Sequence, residues 1–360
     1  MSQLPASTKA ITLAHYPKGL PTLDTFHTVE LPLPAELQPG EVALRAEWLS
    51  VDPYLRGRMR EGAKSYVPPF ELNKPIVSGI VARVIASKDD NFKVGDRAIS
   101  LLPWQDYIVI NPSTHPAGPP FSLQKLDKFP PGVSFSNAVG ALGMPGLTAY
   151  FGLLDIGDPK EGETVFVSGA AGAVGSLVGQ IAKLKGCRVV GSAGDDEKVA
   201  WLKEELGFDD AFNYKTVGDL NEAVAKACPK GVDVYFDNVG GAISDAVTLQ
   251  INPYGRISVC GQISAYNEDG SNPTATTGPR HDWILLTRNV KKEGFIVGRP
   301  AWAKRYPEAL AQLAGWVASG QIKVRETVVE GLESAPKAFL NLFDGSNTGK
   351  MVVKVAADAQ

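Results

Sequence analysis

At 360 residues the chain is long enough for two domains, and its 44% hydrophobic content can fill more than one core. Lys and Arg number 36 against 39 Asp and Glu, a net charge of −3 with no basic run, which argues against a nucleic-acid partner. No apolar stretch approaches a membrane span and residues 1–10 are polar, so a cytoplasmic protein without membrane association is expected.

Residues 1–130 read as β-rich with little helix. Short apolar runs at 9–13, 41–48, 75–85, 96–100 and 104–110 are broken by Pro and Gly, as in a small, curved β-barrel. Gly40 before a strand, Gly79 within one and the turn Val94-Gly95-Asp96-Arg97 suit that curvature. Between the second and third runs, Val51-Asp52-Pro53-Tyr54-Leu55-Arg56-Gly57-Arg58-Met59 reads as a polar loop with one aromatic in its middle. The proline-rich stretch 111–133 reads as irregular connection.

From Ser134 the texture alternates between α and β. Helices are expected after Ser136-Asn137 and from Pro145, which loses no needed N–H in a first turn. Thr164-Val165-Phe166-Val167 then reads as a buried strand. A turn of small residues follows, Ser168-Gly169-Ala170-Ala171-Gly172-Ala173-Val174-Gly175, and beyond it Leu177, Val178, Ile181, Ala182 and Leu184 recur at helical spacing. Strand, turn and helix form the first half of a dinucleotide-binding unit, in which a pyrophosphate approaches backbone N–H groups at a positive helix end. Residues 169–175 are its candidate contacts. Gly169, Gly172 and Gly175 keep a three-residue spacing, with Ala171 where a glycine is often found.

Strands at 188–192, 211–214, 232–238, 255–260 and 292–297 alternate with helices at 195–206, 217–227 and 241–250, and a helix at 303–319 closes the series. That succession predicts a doubly wound parallel sheet. The tail reads strand (326–329), helix (335–343), strand (350–355), too short for a domain. It is expected to return to the β-rich part, so residues 1–135 and 321–360 form one domain and 136–320 an inserted Rossmann domain. Cys187, Cys228 and Cys260 are odd in number and widely spaced, and His15, His27, His115 and His281 are isolated in sequence. Neither a disulfide framework nor a metal is expected from them.

Beside this organisation stand Asp52-Pro53-Tyr54-Leu55-Arg56, Gly143-Met144-Pro145-Gly146-Leu147-Thr148-Ala149-Tyr150, Asn213-Tyr214-Lys215, Asp237-Asn238-Val239-Gly240 and Asn347-Thr348-Gly349-Lys350. With Ala170-Ala171-Gly172-Ala173-Val174-Gly175, they resemble the zinc-independent, NADPH-dependent alkenal/one double-bond reductases of the medium-chain dehydrogenase/reductase superfamily. That group includes the prostaglandin reductases (leukotriene B4 dehydrogenases). The resemblance implies an α/β fold, a GroES-like β-barrel catalytic domain with an inserted Rossmann domain, NADPH as cofactor and a homodimer.

Cofactor choice is read at the end of the second Rossmann strand. Val189-Val190-Gly191-Ser192-Ala193-Gly194 ends in small residues, leaving room for a 2′-phosphate where an NAD site carries an acid. Asp195 and Asp196 lie near that offset but fall beyond the strand, where they cap the next helix. Lys198 sits in that helix's first turn, an unfavourable place for a cation unless an anion is bound nearby. The resemblance gives Lys198 and Tyr214 to the 2′-phosphate; a solvated lysine is the plainer alternative. Asn238, at the carboxyl end of the fourth strand, is where open α/β sheets hold ligands. The resemblance places Asn238 beside the nicotinamide ribose, Asn347 as a contact from the tail, and Met144 and Thr148 beneath the nicotinamide ring. Turn formation explains either asparagine equally well.

Tyr54 and Tyr266 are the candidate catalytic phenols, because a phenol donates a hydrogen bond or a proton to an enolate oxygen at neutral pH. Each is as readily a packing residue. The expected activity is NADPH-dependent reduction of the C=C bond of α,β-unsaturated aldehydes and ketones, with hydride going to the β-carbon. The alternatives are a zinc-free quinone or carbonyl reductase and a non-catalytic NADPH-binding protein.

Overall fold

A computed structural model describes residues 4–62, 65–115, 122–268 and 278–356. The first strands are β1 (Ser7–Leu13), β2 (Phe26–Pro32), β3 (Val42–Ser50), β4 (Val77–Ser87), β5 (Arg97–Pro103), β6 (Tyr107–Ile110) and β7 (Gln124–Lys125). Then follow α1 (Met144–Phe151), β8 (Thr164–Val167), α2 (Gly175–Leu184), β9 (Arg188–Ala193), α3 (Asp196–Glu204), β10 (Asp210–Asn213) and α4 (Leu220–Ala227). Next come β11 (Val232–Asp237), α5 (Gly241–Leu249), β12 (Ile251–Val259), α6 (Asp282–Thr287) and β13 (Lys291–Gly294). The chain ends with α7 (Pro300–Ala303), α8 (Tyr306–Ala318), β14 (Glu326–Glu330), α9 (Ala335–Asp344) and β15 (Lys350–Lys354). It divides into two compact units: Met1–Gly140 with Glu326–Ser346 and Met351–Gln360, and Ala141–Arg325 with Asn347–Lys350.

In the first unit the sheet order is β14-β15-β3-β4-β5-β7, with β6 also on β3. Strand β3 is its axis. β4 runs along one edge, while β6 meets Val42 to Arg45 and β15 meets Trp48 to Ser50 along the other. Register shifts between Ala43 and Leu44 and between Ala46 and Trp48 bend β3 against β4. The β1–β2 pair joins this curve through bridges from Ala10 to Gln105 and Thr12 to Pro75. β2 escaped the sequence reading because Phe26 is its one fully buried side chain; the rest of the strand is exposed or half-buried. Inside lie Ile11, Leu44, Leu49, Ile80, Trp104 and Phe339, and the indole Nε1 of Trp104 donates to Ser78 Oγ at 2.7 Å. Buried Glu47 is compensated by Arg83 at 2.7 Å and Arg97 at 2.6 Å.

The segment expected as a polar loop is instead a 3₁₀ helix, Pro53–Arg58, wedged into this core. Leu55, Arg56 and Met59 are buried. The Arg56 guanidinium tolerates burial because it donates to the Pro17 carbonyl at 3.2 Å and the Gly19 carbonyl at 2.7 Å.

The second unit is a parallel sheet of order β10-β9-β8-β11-β12-β13. Strand order reverses between β8 and β11, so the ligand crevice of an open α/β sheet belongs at their carboxyl ends. Phe166, Val190, Tyr235, Ile243, Val247 and Ile257 form the packing beneath. Several local expectations shift. The helix expected after Ser136-Asn137 is a 3₁₀ turn, Phe135–Val139. The helix expected at 303–319 breaks into α7 and α8, since Pro307 in the first turn of α8 supplies no N–H and restarts the helix there. β12 begins at Ile251 and β13 ends at Gly294. Of the proline-rich stretch expected as irregular connection, residues 116–121 lie outside the described residues, as do residues 269–277. Among the described residues, no helix is long and apolar enough to cross a membrane.

Candidate active site

The small-residue turn is built by backbone demands. Gly169 has φ +58°, a conformation that favours glycine. Gly172 N donates to Gly169 O at 3.0 Å, and Ala170 N to Ser192 O on the neighbouring strand at 3.0 Å. A Cβ on Gly175 would stand 2.4 Å from Gly169 O, so only glycine lets α2 start so close to the turn. A Cβ on Gly172 would meet only Gly169 O, at 3.3 Å, which leaves that side of the turn open. Ala170 and Ala171 are buried, Ala173 and Val174 half-buried, and among the described residues no side chain caps α2. Ser176 N and Leu177 N already donate to Gly172 O and Val174 O at 3.1 Å each, so it is the positive end of α2 and the close-approach turn of small residues that fit a pyrophosphate.

The tail reaches this turn. Gly349 bridges Gly172 in parallel, and its N–H donates to Ala171 O at 2.8 Å. Its φ is +66°, and a Cβ there would collide with Arg325 O at 2.0 Å. The amide of Asn347 donates to Gly349 O at 3.1 Å, which holds the side chain in the same segment.

At the strand-order reversal, Asp237 is buried and one of its oxygens gathers four donors. These are Ser168 Oγ (3.1 Å), Tyr235 Oη (2.7 Å), Val239 N (3.0 Å) and Gly240 N (2.9 Å). Burial, and then the Asp237 charge, hold the Tyr235 phenol far above its ordinary range. Asn238 donates from Nδ2 to Ser168 O at 2.8 Å and from its backbone to Ser168 Oγ at 3.0 Å. Sequence reasoning missed Ser168 and Asp237. The available signal was a polar residue ending each of two apolar strands.

At the end of β9, Asp195 is the N-cap of α3 and accepts from Glu197 N at 2.8 Å and Lys198 N at 3.3 Å. Asp196 accepts from Asn213 Nδ2 at 2.8 Å. Lys198 is half-buried and Tyr214 exposed. Gly194 is not bare: a Cβ there would meet Tyr214 Oη at 2.9 Å and Lys215 Cε at 3.1 Å. The space left by the small residues is already bordered by a phenol and a lysine stem.

Beyond β12 and β13 opens a cleft of about 560 Å³, lined by Cys260, Gly261, Tyr266, Phe295 and Arg299 among others. The Tyr266 hydroxyl accepts from Gln262 N at 3.4 Å and passes directly over Gly261, where a Cβ would come within 2.9 Å of it. Burial raises its phenol above the ordinary value, so it stays a donor at neutral pH. Cys260 beside it is pushed up to about 12 by burial and then by the Asp237 charge, which keeps the thiol protonated and unreactive. On α1, Thr148 Oγ1 donates to Met144 O at 2.7 Å and lies 3.5 Å from the Met144 sulfur. Tyr54 belongs to the first unit, where it packs half-buried against the barrel core. Burial, and then the Asp52 charge, raise its phenol strongly, and among the described residues its hydroxyl has no hydrogen-bond partner. Among the described residues no three His, Cys, Asp or Glu side chains come together as a metal site.

Residues 9–116 match the family described as the N-terminal domain of oxidoreductase, and residues 173–315 match the zinc-binding dehydrogenase family. Mouse prostaglandin reductase 1 is 47% identical over 352 residues, covering 96% of this chain and 98% of its own. A tobacco NADP(+)-dependent 2-alkenal reductase is 41% identical, covering 98% of both chains. The crystal structure of CurA from Vibrio vulnificus in complex with NADPH is 43% identical with a TM-score of 0.87, covering 97% of this chain and 99% of its own. The chain belongs to the medium-chain dehydrogenase/reductase superfamily and, within it, to the zinc-independent group of NADP-dependent alkenal and prostaglandin reductases.

Proposed function

We propose that the protein is an NADPH-dependent reductase of the C=C bond of α,β-unsaturated aldehydes and ketones. The observation that carries this reading is near-full-length similarity to enzymes named 2-alkenal and prostaglandin reductases, joined to a turn and strand end that fit an NADP dinucleotide. When bound, NADPH supplies the hydride that adds to the substrate's β-carbon. The chain's own tasks follow from that chemistry. Residues 169–175 hold the pyrophosphate, Lys198 and Tyr214 the 2′-phosphate. Asn238, Asn347, Met144 and Thr148 orient the nicotinamide half. A phenol, Tyr266 or Tyr54, donates to the carbonyl oxygen as negative charge gathers there, and the raised phenols support that role. Conjugation shares this charge between the oxygen and the α-carbon, so a Lewis-acid metal is not required.

The same proposal takes the first unit as the catalytic domain and the second as the dinucleotide-binding domain, in a cytoplasmic homodimer. Supporting the dimer, β13 is an exposed edge strand, and Trp283 (73% exposed) and Leu286 (70%) stand on the preceding helix α6. The test is product identity. Incubation with NADPH and a simple conjugated enal, with and without a chelator, is expected to yield the saturated aldehyde in both cases. An allylic alcohol, or activity lost to the chelator and restored by zinc, overturns the reading.

A further inference from the structure

The end of β9 holds a residue to which the preceding reading gives no role. β10 lies beside β9 with Asn213 opposite Ala193, and Tyr214 N donates to Ala193 O at 3.0 Å. That register carries the next two side chains over Gly194, where Tyr214 Oη and Lys215 Cε would stand 2.9 and 3.1 Å from an added Cβ. An acid at position 194, the side chain that would accept from a ribose 2′-hydroxyl, would therefore have to push aside the ends of both side chains. The two acids that follow are also committed. Asp195 caps α3 through Glu197 N and Lys198 N, and Asp196 accepts from Asn213 Nδ2. The other end of the Asn213 amide accepts from Lys215 N at 3.0 Å. One buried asparagine thus ties up a carboxylate and fixes the backbone of the lysine.

We propose that Lys215 is a second cation for the 2′-phosphate, held over Gly194 by Asn213 and standing beside Tyr214. The ligand chemistry is a ribose phosphate monoester, whose charge an exposed ammonium meets without the desolvation that a buried one would suffer. The site's preference for a phosphate over a hydroxyl then has two parts. Small residues admit the group, and Lys215 rewards its charge.

This assignment rests on the NADPH reading above, and the experiment separates the two. Calorimetry measures adenosine 2′,5′-bisphosphate and 5′-AMP binding, and tryptophan fluorescence measures NADPH and NADH binding, in wild type, Lys215→Ala and Lys215→Arg. Lys215→Ala is expected to weaken NADPH and the bisphosphate by roughly 10- to 100-fold, the scale of one charged hydrogen bond, while 5′-AMP and NADH change less than about two-fold. Lys215→Arg retains most of the affinity, and the loss in Lys215→Ala shrinks as salt is raised. Because Lys215 is exposed, an unchanged thermal unfolding curve is expected for both variants. If wild type shows no preference for the 2′-phosphorylated ligands, the NADPH reading falls and this assignment with it. If wild type prefers them and Lys215→Ala binds all four ligands like wild type, or loses all four equally, only the Lys215 assignment is overturned.

Discussion

Two phenols with one candidate role are a question for single residues. Tyr266 lines an open cleft and its hydroxyl already accepts a backbone N–H, whereas Tyr54 packs against the barrel core without a hydroxyl partner among the described residues. Tyr266 is therefore expected to be the donor. Tyr266→Phe should lower kcat and kcat/KM together by about 10²-fold or more, the range of general acid catalysis, and Tyr54→Phe should change either by less than about three-fold. Steady-state kinetics on an enal decides it, and the reverse pattern moves the role to Tyr54.

The thiols make a pH prediction at the same scale. Burial raises Cys187 to about 11 and Cys228 and Cys260 to about 12, from an ordinary 9.0. Above pH 9 the unfolded chain has lost protons that the folded one keeps. Fewer protons bound in the unfolded state means that stability falls as pH rises. Urea midpoints should be flat up to about pH 8 and decline beyond pH 9. A thiol reagent at pH 8 should label the native protein slowly and the denatured protein at once.

Among elements, the decisive meeting is that of the small-residue turn with the segment 347–350. Residues 169–175 are ordered by their own strand and helix, but Gly349 also bridges Gly172 and hydrogen-bonds Ala171. Gly349→Ala puts a methyl 2.0 Å from the Arg325 carbonyl at a positive φ. The segment must then leave its place, taking Asn347 with it. The expected loss is about 1–3 kcal/mol of stability in urea unfolding, accompanied by weaker NADPH binding. A control at Gly320, also at positive φ but with no atom of the described residues within 4 Å of an added Cβ, should lose stability while keeping NADPH affinity. Equal affinity losses in the two variants would mean that the tail contributes nothing particular to the turn.

For the whole molecule, the prediction concerns assembly. Among the described residues β13 leaves its outer edge unpaired, and Trp283 and Leu286 beside it are among the most exposed large apolar side chains. A homodimer pairing these edges is expected to run at about twice the 38.4 kDa chain mass in light scattering. Trp283→Glu should shift it toward monomer without unfolding it. A monodisperse monomer in the wild type would end this proposal.

The amino-acid sequence alone determined whatever depends on neighbours along the chain. Alternation of strands with amphipathic helices dictated the parallel sheet, because a buried strand and a 3.6-residue stripe each leave a local mark. The glycines at 169, 172 and 175 announced the turn for the same reason, and Asp195 was legible as a helix cap from its place before α3. Tertiary structure decided what hangs on distant pairs. The burial of Arg56 needed carbonyls at Pro17 and Gly19, so its segment looked like a solvated loop. Asp237 gained its importance from Ser168 on another strand, and Lys215 its place from the register of β10 on β9. Gly349 stood in the sequence only as one letter of a tail motif, and its contact with Ala171 came from the fold. In each case a polar group's partner lies far away in sequence, and no local period records where a folded backbone will present its free donors and acceptors.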